Sequence, residues 1–480
     1  MSNLLTSIAT EGHDLSVLQS ALNVVQGNVS NASTPGYASQ QANLTAQPMD
    51  IAAGLTGGVA YSGMQSSRDN YADSEVQRQL QTLGQYTAQA QGTSAVQSLF
   101  DVTGTSGVPA ALSQLFQSFS AWSASPGDSS SQQEVLSSAN ALASSVNQLS
   151  SSLASTSQQL DGQISSSVNQ INALAAQIQQ YNIQRQTDPQ PDPGADANLE
   201  SNLESLSQLV NFTTLTQSDG TVTVLLGGST PLVEGDQAFS ISAQNSVTSP
   251  PTPANPQSPP SAHILDSQGN DITAELTGGQ LGGTLDVRNQ VLGSIVGDAQ
   301  QAGSLNQFAQ GLADTVNQVL TSGTVSTATG AANGSPLFKY TSSDATLAAQ
   351  TLEVNPSITA AQLAPVDASG NSNGNANTLA ALANQTTGKG SIDGMSYTDF
   401  FGQIASGIGQ QAQTAQDNET AQQTVSAQAQ TLRDSISGVS LDQQASILLQ
   451  YQRGYQAVAQ ILTVLNTLAQ SVLQIIPQAG

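Results

Sequence analysis

Apolar residues at both ends of the chain repeat with a three-four alternation, and this pattern constrains the fold more than any other feature. Near the N-terminus Ile8, Leu15, Leu18, Leu22, Val25 and Val29 follow one another at spacings of seven, three, four, three and four. Near the C-terminus Leu441, Ala445, Leu448, Tyr455, Val458, Leu462, Leu465, Ala469, Val472 and Ile476 keep the same rhythm, with Gln452 as the polar exception. Such a stripe is the narrow a/d seam of a coiled coil rather than the wider face of a globular helix. Neither seam can bury itself alone, so the two ends are expected to pair and then to pack on neighbouring subunits. Gly12 interrupts the first seam, and Pro35-Gly36 ends it, because the residue before a proline leaves the helical region and glycine supplies the turn. Pro477 closes the second.

Between the seams the pattern predicts further long helices. Leu142, Val146, Leu149, Leu153, Leu160, Ile164, Val168, Ile171, Leu174, Ile178 and Tyr181 hold helical spacing. Forty residues at 1.5 Å each make a rod of about 60 Å, too long for a small globule. Segments 68–100, 291–320 and 397–436 read alike, with Leu80, Leu83, Leu292, Ile295, Leu305, Leu312, Val316, Ile404 and Ile408 as core candidates. The middle changes character. "TDPQPDPGADANL" (187–199) reads as a proline-rich linker, and "SPPTPANPQSPPS" (249–261) as a flexible or polyproline connector. "VNFTTLTQ", "TVTVLLGG" and "AFSISA" cluster β-branched residues between Gly and Asp turns, and "AHILDSQGNDITAEL" reads as a hairpin around Gly269-Asn270. Loop-rich "ASGNSNGNANT" (368–378) reads as a surface connection. The expected fold class is mainly α with a small β insert: paired terminal helices, a long-helix rod and an outer β domain. The expected segments are 1–45 and 437–480 for the two halves of the inner coil, 46–207 and 290–436 for the long-helix domain, and 208–289 for the insert.

Charge and residue usage then remove whole classes of function. The chain carries 33 Asp+Glu against 8 Lys+Arg, a net charge of -25, and only Lys339 and Lys389 are lysines. A phosphate-neutralising surface cannot be assembled from these, so neither nucleic acid nor an anionic membrane is an expected partner. There is no cysteine, which excludes disulfides, thiolate catalysis and cysteine-ligated zinc. Charged residues are only 9%, against about a quarter in ordinary domains; the polar, uncharged make-up suits a helical rod whose faces meet other subunits. No apolar run reaches the roughly 18 residues of a membrane span. The first basic residue is Arg68, so no signal-peptide n-region is visible, and export would use a route that reads no cleaved N-terminal signal.

No constellation supports catalysis, a metal or a cofactor. His13 and His263 are solitary, and Asp188, Asp192 and Asp196 lack the alternate-residue spacing of a calcium loop. "GGQLGGTLD" has no Walker lysine and does not fit a dinucleotide fingerprint. Asn28 and Asn31 open glycosylation sequons, but cap-and-turn chemistry accounts for both.

"GNVSNASTPGY" (27–37) resembles the motif of the axial proteins of the bacterial flagellum, in which an N-terminal seam helix ends in Asn-rich turns before Pro-Gly-Tyr. "SISGVSLDQQASILLQYQRGYQAVAQILTVLNTLAQSVLQII" (435–476) resembles their C-terminal segment. Its Gly-Val-Ser-Leu-Asp start, with segments 278–300, 305–320 and 396–415, is most similar to the hook-associated protein 1 family, which forms the hook–filament junction. The resemblance implies a structural, non-enzymatic protein, exported by the flagellar type III apparatus and needed for filament assembly and motility. It implies self-association in a ring or short helical zone, contacts with hook protein and the second junction protein, and an export chaperone on the C-terminal helix. It also implies that the chain leaves the inner layer at Asn31–Gly36. A hook or distal-rod protein would share both ends, and a secreted coiled-coil adhesin or an enzyme grafted onto a flagellar frame would have to show a ligand site or a pocket in 208–289.

Overall fold

In the computed structural model, residues 2–50, 55–100, 104–244, 261–298 and 300–475 are described. The polyproline stretch at 250–260 and seam residue Ile476 lie outside them. Helix α1 (Ser2–Ser30) runs straight through Gly12. The chain does not then leave. It turns at Gly36 and comes back as an antiparallel hairpin, β1 (Gln40–Asp50) and β2 (Leu55–Ser66), in which Gln40 faces Ser66 and Asp50 faces Leu55. The hairpin packs along α1, so the departure expected at Asn31–Gly36 happens only after Ser66. An isolated two-stranded ribbon is marginal in water, and α1 supplies the surface it needs.

Beyond the hairpin come α2 (Asn70–Gln97), α3 (Gly107–Ala124), α4 (Ser129–Thr187) and α5 (Pro193–Leu209). Aspartates start three of them: Asp69, Asp128 and Asp192 each accept two backbone N–H groups of the first turn. In α5 the cap is followed by Pro193 at the first helical position, so half of the expected linker is helix. At 59 residues α4 is about 90 Å long, half as long again as the periodicity alone indicates.

A four-stranded antiparallel meander follows: β3 (Phe212–Thr216), β4 (Val222–Leu226), β5 (Thr230–Glu234) and β6 (Gln237–Ala238). Then β7 (Ser242–Gln244) pairs with β8 (His263–Leu265) across the polyproline stretch. The last residues of the expected insert are helical, as α6 (Gly279–Asp286), which continues through one π-helical turn, Val287–Val291, into α7 (Leu292–Val296). The helix expected over 291–320 is broken, because Gly297 and Gly303 take positive φ and the chain restarts as α8 (Ser304–Thr321). Short pieces fill the next stretch: β9 (Phe338–Lys339), α9 (Ala348–Thr351), β10 (Glu353–Val354) paired to β9, and α10 (Gly374–Ala381), which takes up the end of the expected surface loop. Two long helices finish the described chain, α11 (Tyr397–Ser437) and α12 (Leu441–Ile475).

The body holds two cores threaded on α4. Its first half, from Val135 to Leu160, joins α3, α8, α10 and the start of α11 around Phe119, Trp122, Phe308 and Phe401. Its second half, Ile164 to Tyr181, joins α5, α6 and the meander around Leu206, Val224, Leu232 and Val233. Each fully buried Leu, Ile or Phe contributes about 1.5–3 kcal/mol. Arg288, nearly fully buried, bridges the cores with an ion pair to Asp161 of α4 at 2.8 Å. Of the predicted core positions, Leu80, Leu292, Ile295, Leu305, Leu312, Val316 and Ile408 are buried, and Leu83 and Ile404 are half-buried.

Candidate assembly interface

The two terminal helices meet. α1 packs along α12, and at Gly454 there is no side chain, so both methyls of Leu18 sit where a Cβ would be 3.7 Å away. Among the seam residues Leu22 and Val25 are buried, and Ile8, Leu15 and Leu18 are half-buried. On α12, Leu448, Tyr455, Val458, Leu462 and Leu465 are half-buried. Val29 and Val472 are exposed, at 44% and 37%. The most buried stripe of α1 is the neighbouring one, Val17, Ala21, Val24 and Asn28, one residue out of step with the expected seam. The shift has a physical cause: α1 serves two partners, α12 and the hairpin, and Asp14 Oδ1 accepts the Val59 N–H at 2.9 Å on the hairpin side. A second apolar row on α12, Ile461, Val464 and Leu468, is exposed, as are Leu449 and Leu473 on other faces. Its 461–464–468 spacing was visible in the sequence, masked by the stronger stripe beside it.

Asn28 locks this arrangement. Fully buried, its Nδ2 donates to Gln40 O at 2.7 Å and to Gln444 Oε1 at 3.0 Å. Its Oδ1 accepts the Gln40 N–H at 2.9 Å and the Tyr37 hydroxyl at 3.1 Å. One side chain thus joins α1, the turn, the hairpin and α12. Sequence reasoning assigned Asn28 to turn chemistry only, since Gln444 lies more than 400 positions away.

Below the pair is a neck, where the chain crosses to the body at Ser67–Asp69 and returns at Ser437–Val439. Ser39 N donates to Ser437 O at 2.8 Å, Ser67 Oγ donates to the same oxygen at 3.2 Å, and Asp69 N donates to Ser437 Oγ at 3.1 Å. The Pro35-Gly36 turn dips onto α5. Gly36 has φ +73°, and any side chain there would run into the Ala197 carbonyl. Arg68 holds the turn by donating from Nη2 to Gly36 O at 2.5 Å, while Nη1 pairs with Asp73 at 3.0 Å and lies 3.5 Å from Glu200. Gln77 donates to Glu200 at 2.9 Å, and Arg433 of α11 pairs with Glu204 and with Asp434. Burial pushes the Glu200 carboxyl up to about 7, helped by the adjacent Asp73 charge, and burial likewise raises Asp73 against the pull of Arg68. A cavity of about 290 Å³ opens here, bordered by Pro35, Arg68, Asp73, Arg433, Asp434 and Val439.

Among the described residues no group of His, Cys, Asp and Glu is placed to hold a metal ion, and no helix is long and apolar enough to cross a membrane.

Comparison with known proteins gives the same reading. Residues 93–338 match the family model of the flagellar hook-associated protein FlgK helical domain, and residues 428–475 match that of the flagellar basal body rod FlgEFG protein C-terminal segment. The chain is 25% identical to flagellar hook-associated protein 1 of Bacillus subtilis (strain 168), covering 98% of each. It is 24% identical to that of Escherichia coli (strain K12), over 96% of this chain and 98% of the other. The solved flagellar hook junction protein FlgK from Burkholderia pseudomallei superposes with a TM-score of 0.60 at 16% identity, covering 75% of this chain and 100% of that one. A body hung from its own paired ends, in a chain that matches two axial-protein families, defines a structural component of the flagellar axis rather than an enzyme. The chain belongs to the flagellar hook-associated protein FlgK family.

Proposed function

We propose that the protein builds the junction between hook and filament, is exported by the flagellar type III apparatus, and is required for filament growth. In this reading α1 and α12 form a coiled coil that belongs to the inner layer of the axial structure. The long-helix domain, expected over 46–207 and 290–436 and with its first helix α2 beginning only after the hairpin, forms the layer around it, and the insert at 208–289 points outward. Copies of the chain associate in a ring or short helical zone between hook protein and the second junction protein. Before export, a chaperone covers the C-terminal helix. The carrying observation is the packing of α1 on α12 beside an apolar row on α12, Ile461, Val464 and Leu468, that this chain leaves uncovered. A lone pair of helices has no use for a second stripe; a helix packed among neighbouring copies does.

Leu465→Asp and Leu22→Asp test this. Each places a carboxylate on a stripe where it must be neutralised or solvated, at a cost of several kcal/mol. Both stripes lie outside the two body cores, so the melting of the body is expected to be unchanged. Cells should secrete the variant chain and lose filaments, with flagellin released to the medium, whereas Thr463→Asp on an exposed position should be milder. Normal filament numbers on Leu465→Asp cells would rule the seam out.

A further inference from the structure

The neck cavity and the surface of α12 carry complementary unmet charges. Four carboxyls, Asp73, Glu200, Glu204 and Asp434, share two guanidiniums, Arg68 and Arg433. Asp73 lines the cavity and is 4% exposed, and its Oδ1, itself buried, accepts no hydrogen bond. A carboxylate oxygen buried without a donor costs free energy until one arrives. The desolvated acids respond as such groups do, with Glu200 and Asp73 both pushed toward the protonated form.

On the other side stands Arg453. It is exposed on α12, it is the only Lys or Arg in either terminal helix, and among the described residues its guanidinium has no ion pair or hydrogen bond. In a chain of net charge -25, five of the eight basic residues, Arg68, Arg78, Arg185, Arg288 and Arg433, are engaged internally. Arg453 stands twelve positions beyond the start of α12 at Leu441, about 18 Å along the helix, so its own neck is out of reach. A second copy displaced along α12 by about that distance brings the guanidinium level with the cavity.

We propose that Arg453 of one copy inserts into the neck cavity of the next, meeting the exposed Asp434 and the buried Asp73 of its lining. The occupant is a second copy of this chain, and the contact rests on the self-association proposed above. Glu11, Asp14 and Asp442 are the acids that compete for it on the terminal helices. All three stand in partly or fully solvated surroundings, where a single ion pair contributes little. In the cavity the guanidinium meets two carboxyl residues, Asp73 and Asp434, whose own cations Arg68 and Arg433 are shared with Glu200 and Glu204 behind them, and its planar fork can serve two acceptors at once.

The absence of cysteine makes the contact directly testable. A chain carrying both Arg453→Cys and Ser33→Cys, at the cavity mouth, is expressed in flagellated cells, and isolated flagella are treated with a short thiol-to-thiol cross-linker. Head-to-tail contact gives a ladder of dimers, trimers and longer products, whereas either single variant stops at dimers. Flagella that contain the double variant but show nothing above the dimer overturn the proposal, as does a product joining this chain to a different protein. In parallel, Arg453→Glu is expected to lose filaments while the body melts normally, and adding Asp434→Arg is expected to restore them. Wild-type filament numbers on Arg453→Glu cells overturn the contact. If that happens while Leu465→Asp still abolishes filaments, the seam stands without the contact; if Leu465→Asp cells are also normal, self-association itself falls.

Discussion

Asparagine does much of the joining in this molecule. Asn28, Asn172, Asn182, Asn289 and Asn317 each take both the C=O and the N–H of one residue on another element: Gln40, Ile241, Val222, Ala262 and Phe338. A primary amide presents one donor and one acceptor side by side, as a peptide edge does, so each clamp acts as a strand one residue long. Asn182, fully buried, also donates to Gly235 O at 2.8 Å. Asn182→Ala strands three backbone groups, each worth about 1–3 kcal/mol when buried unpaired. A marked drop in the urea midpoint is expected for it, against little change for the exposed Asn140→Ala. No sequence pattern announces these clamps. Asparagine is abundant here, and what singles out Asn182 from Asn140 is its place against strands 40 or more residues away.

At the scale of elements, the neck carries the pH response. The Glu200 carboxyl of α5 is raised from 4.5 to about 7 by burial and by Asp73. A group whose folded value is raised contributes stability that is fully present below the unfolded value, about 4.5, and is lost as pH rises through about 7. Asp73 acts in the same direction. The groups facing them are Arg68 and Asp69 before α2, Glu204 on α5 and Arg433 on α11. Thermal stability is therefore expected to fall between pH 5 and pH 8, and Glu200→Gln should flatten that slope; an equal slope in both proteins would exclude Glu200 as its source. The elements themselves differ in legibility. α2, α4, α11 and α12 could be seen because long periodic stripes leave a strong signal. The β1–β2 hairpin was harder to see: β1 is "QQANLTAQPMD", mostly exposed, its alternation of Ala42, Leu44 and Ala46 is short and carries only one large apolar residue before Pro48, and its strand state depends on α1 behind it. α5 hid behind its prolines, although Asp192-Pro193 is a helix start rather than a linker once the cap is recognised.

For the whole molecule the decisive fact is two cores on one helix. Such a body is not expected to unfold in a single step. Leu115→Ala opens a cavity in the core around α3, and Val224→Ala opens one in the core of the meander. Losses of about 2–5 kcal/mol are usual for Leu→Ala, less for Val→Ala. In calorimetry each variant should lower its own transition and leave the other nearly in place. If both transitions move together, α4 couples the cores into one cooperative unit. The sequence showed that one long helix runs through 142–181, but not that its two halves serve different partners. That division is made by residues such as Leu305 and Val224, which approach α4 only after the chain has folded back.

The neck has a mechanical meaning. The outgoing crossing at Ser67–Asp69 and the returning one at Ser437 lie side by side, bonded to each other through one serine. A pull on the terminal helices reaches the body through both crossings together, so each carries part of the load and the bonds between them keep the two in step. Torque applied from one end is shared in the same way. A body attached by two adjacent strands of chain can also lengthen or shrink without moving the ends that hold it, which leaves the outer mass free to vary while the load path stays fixed.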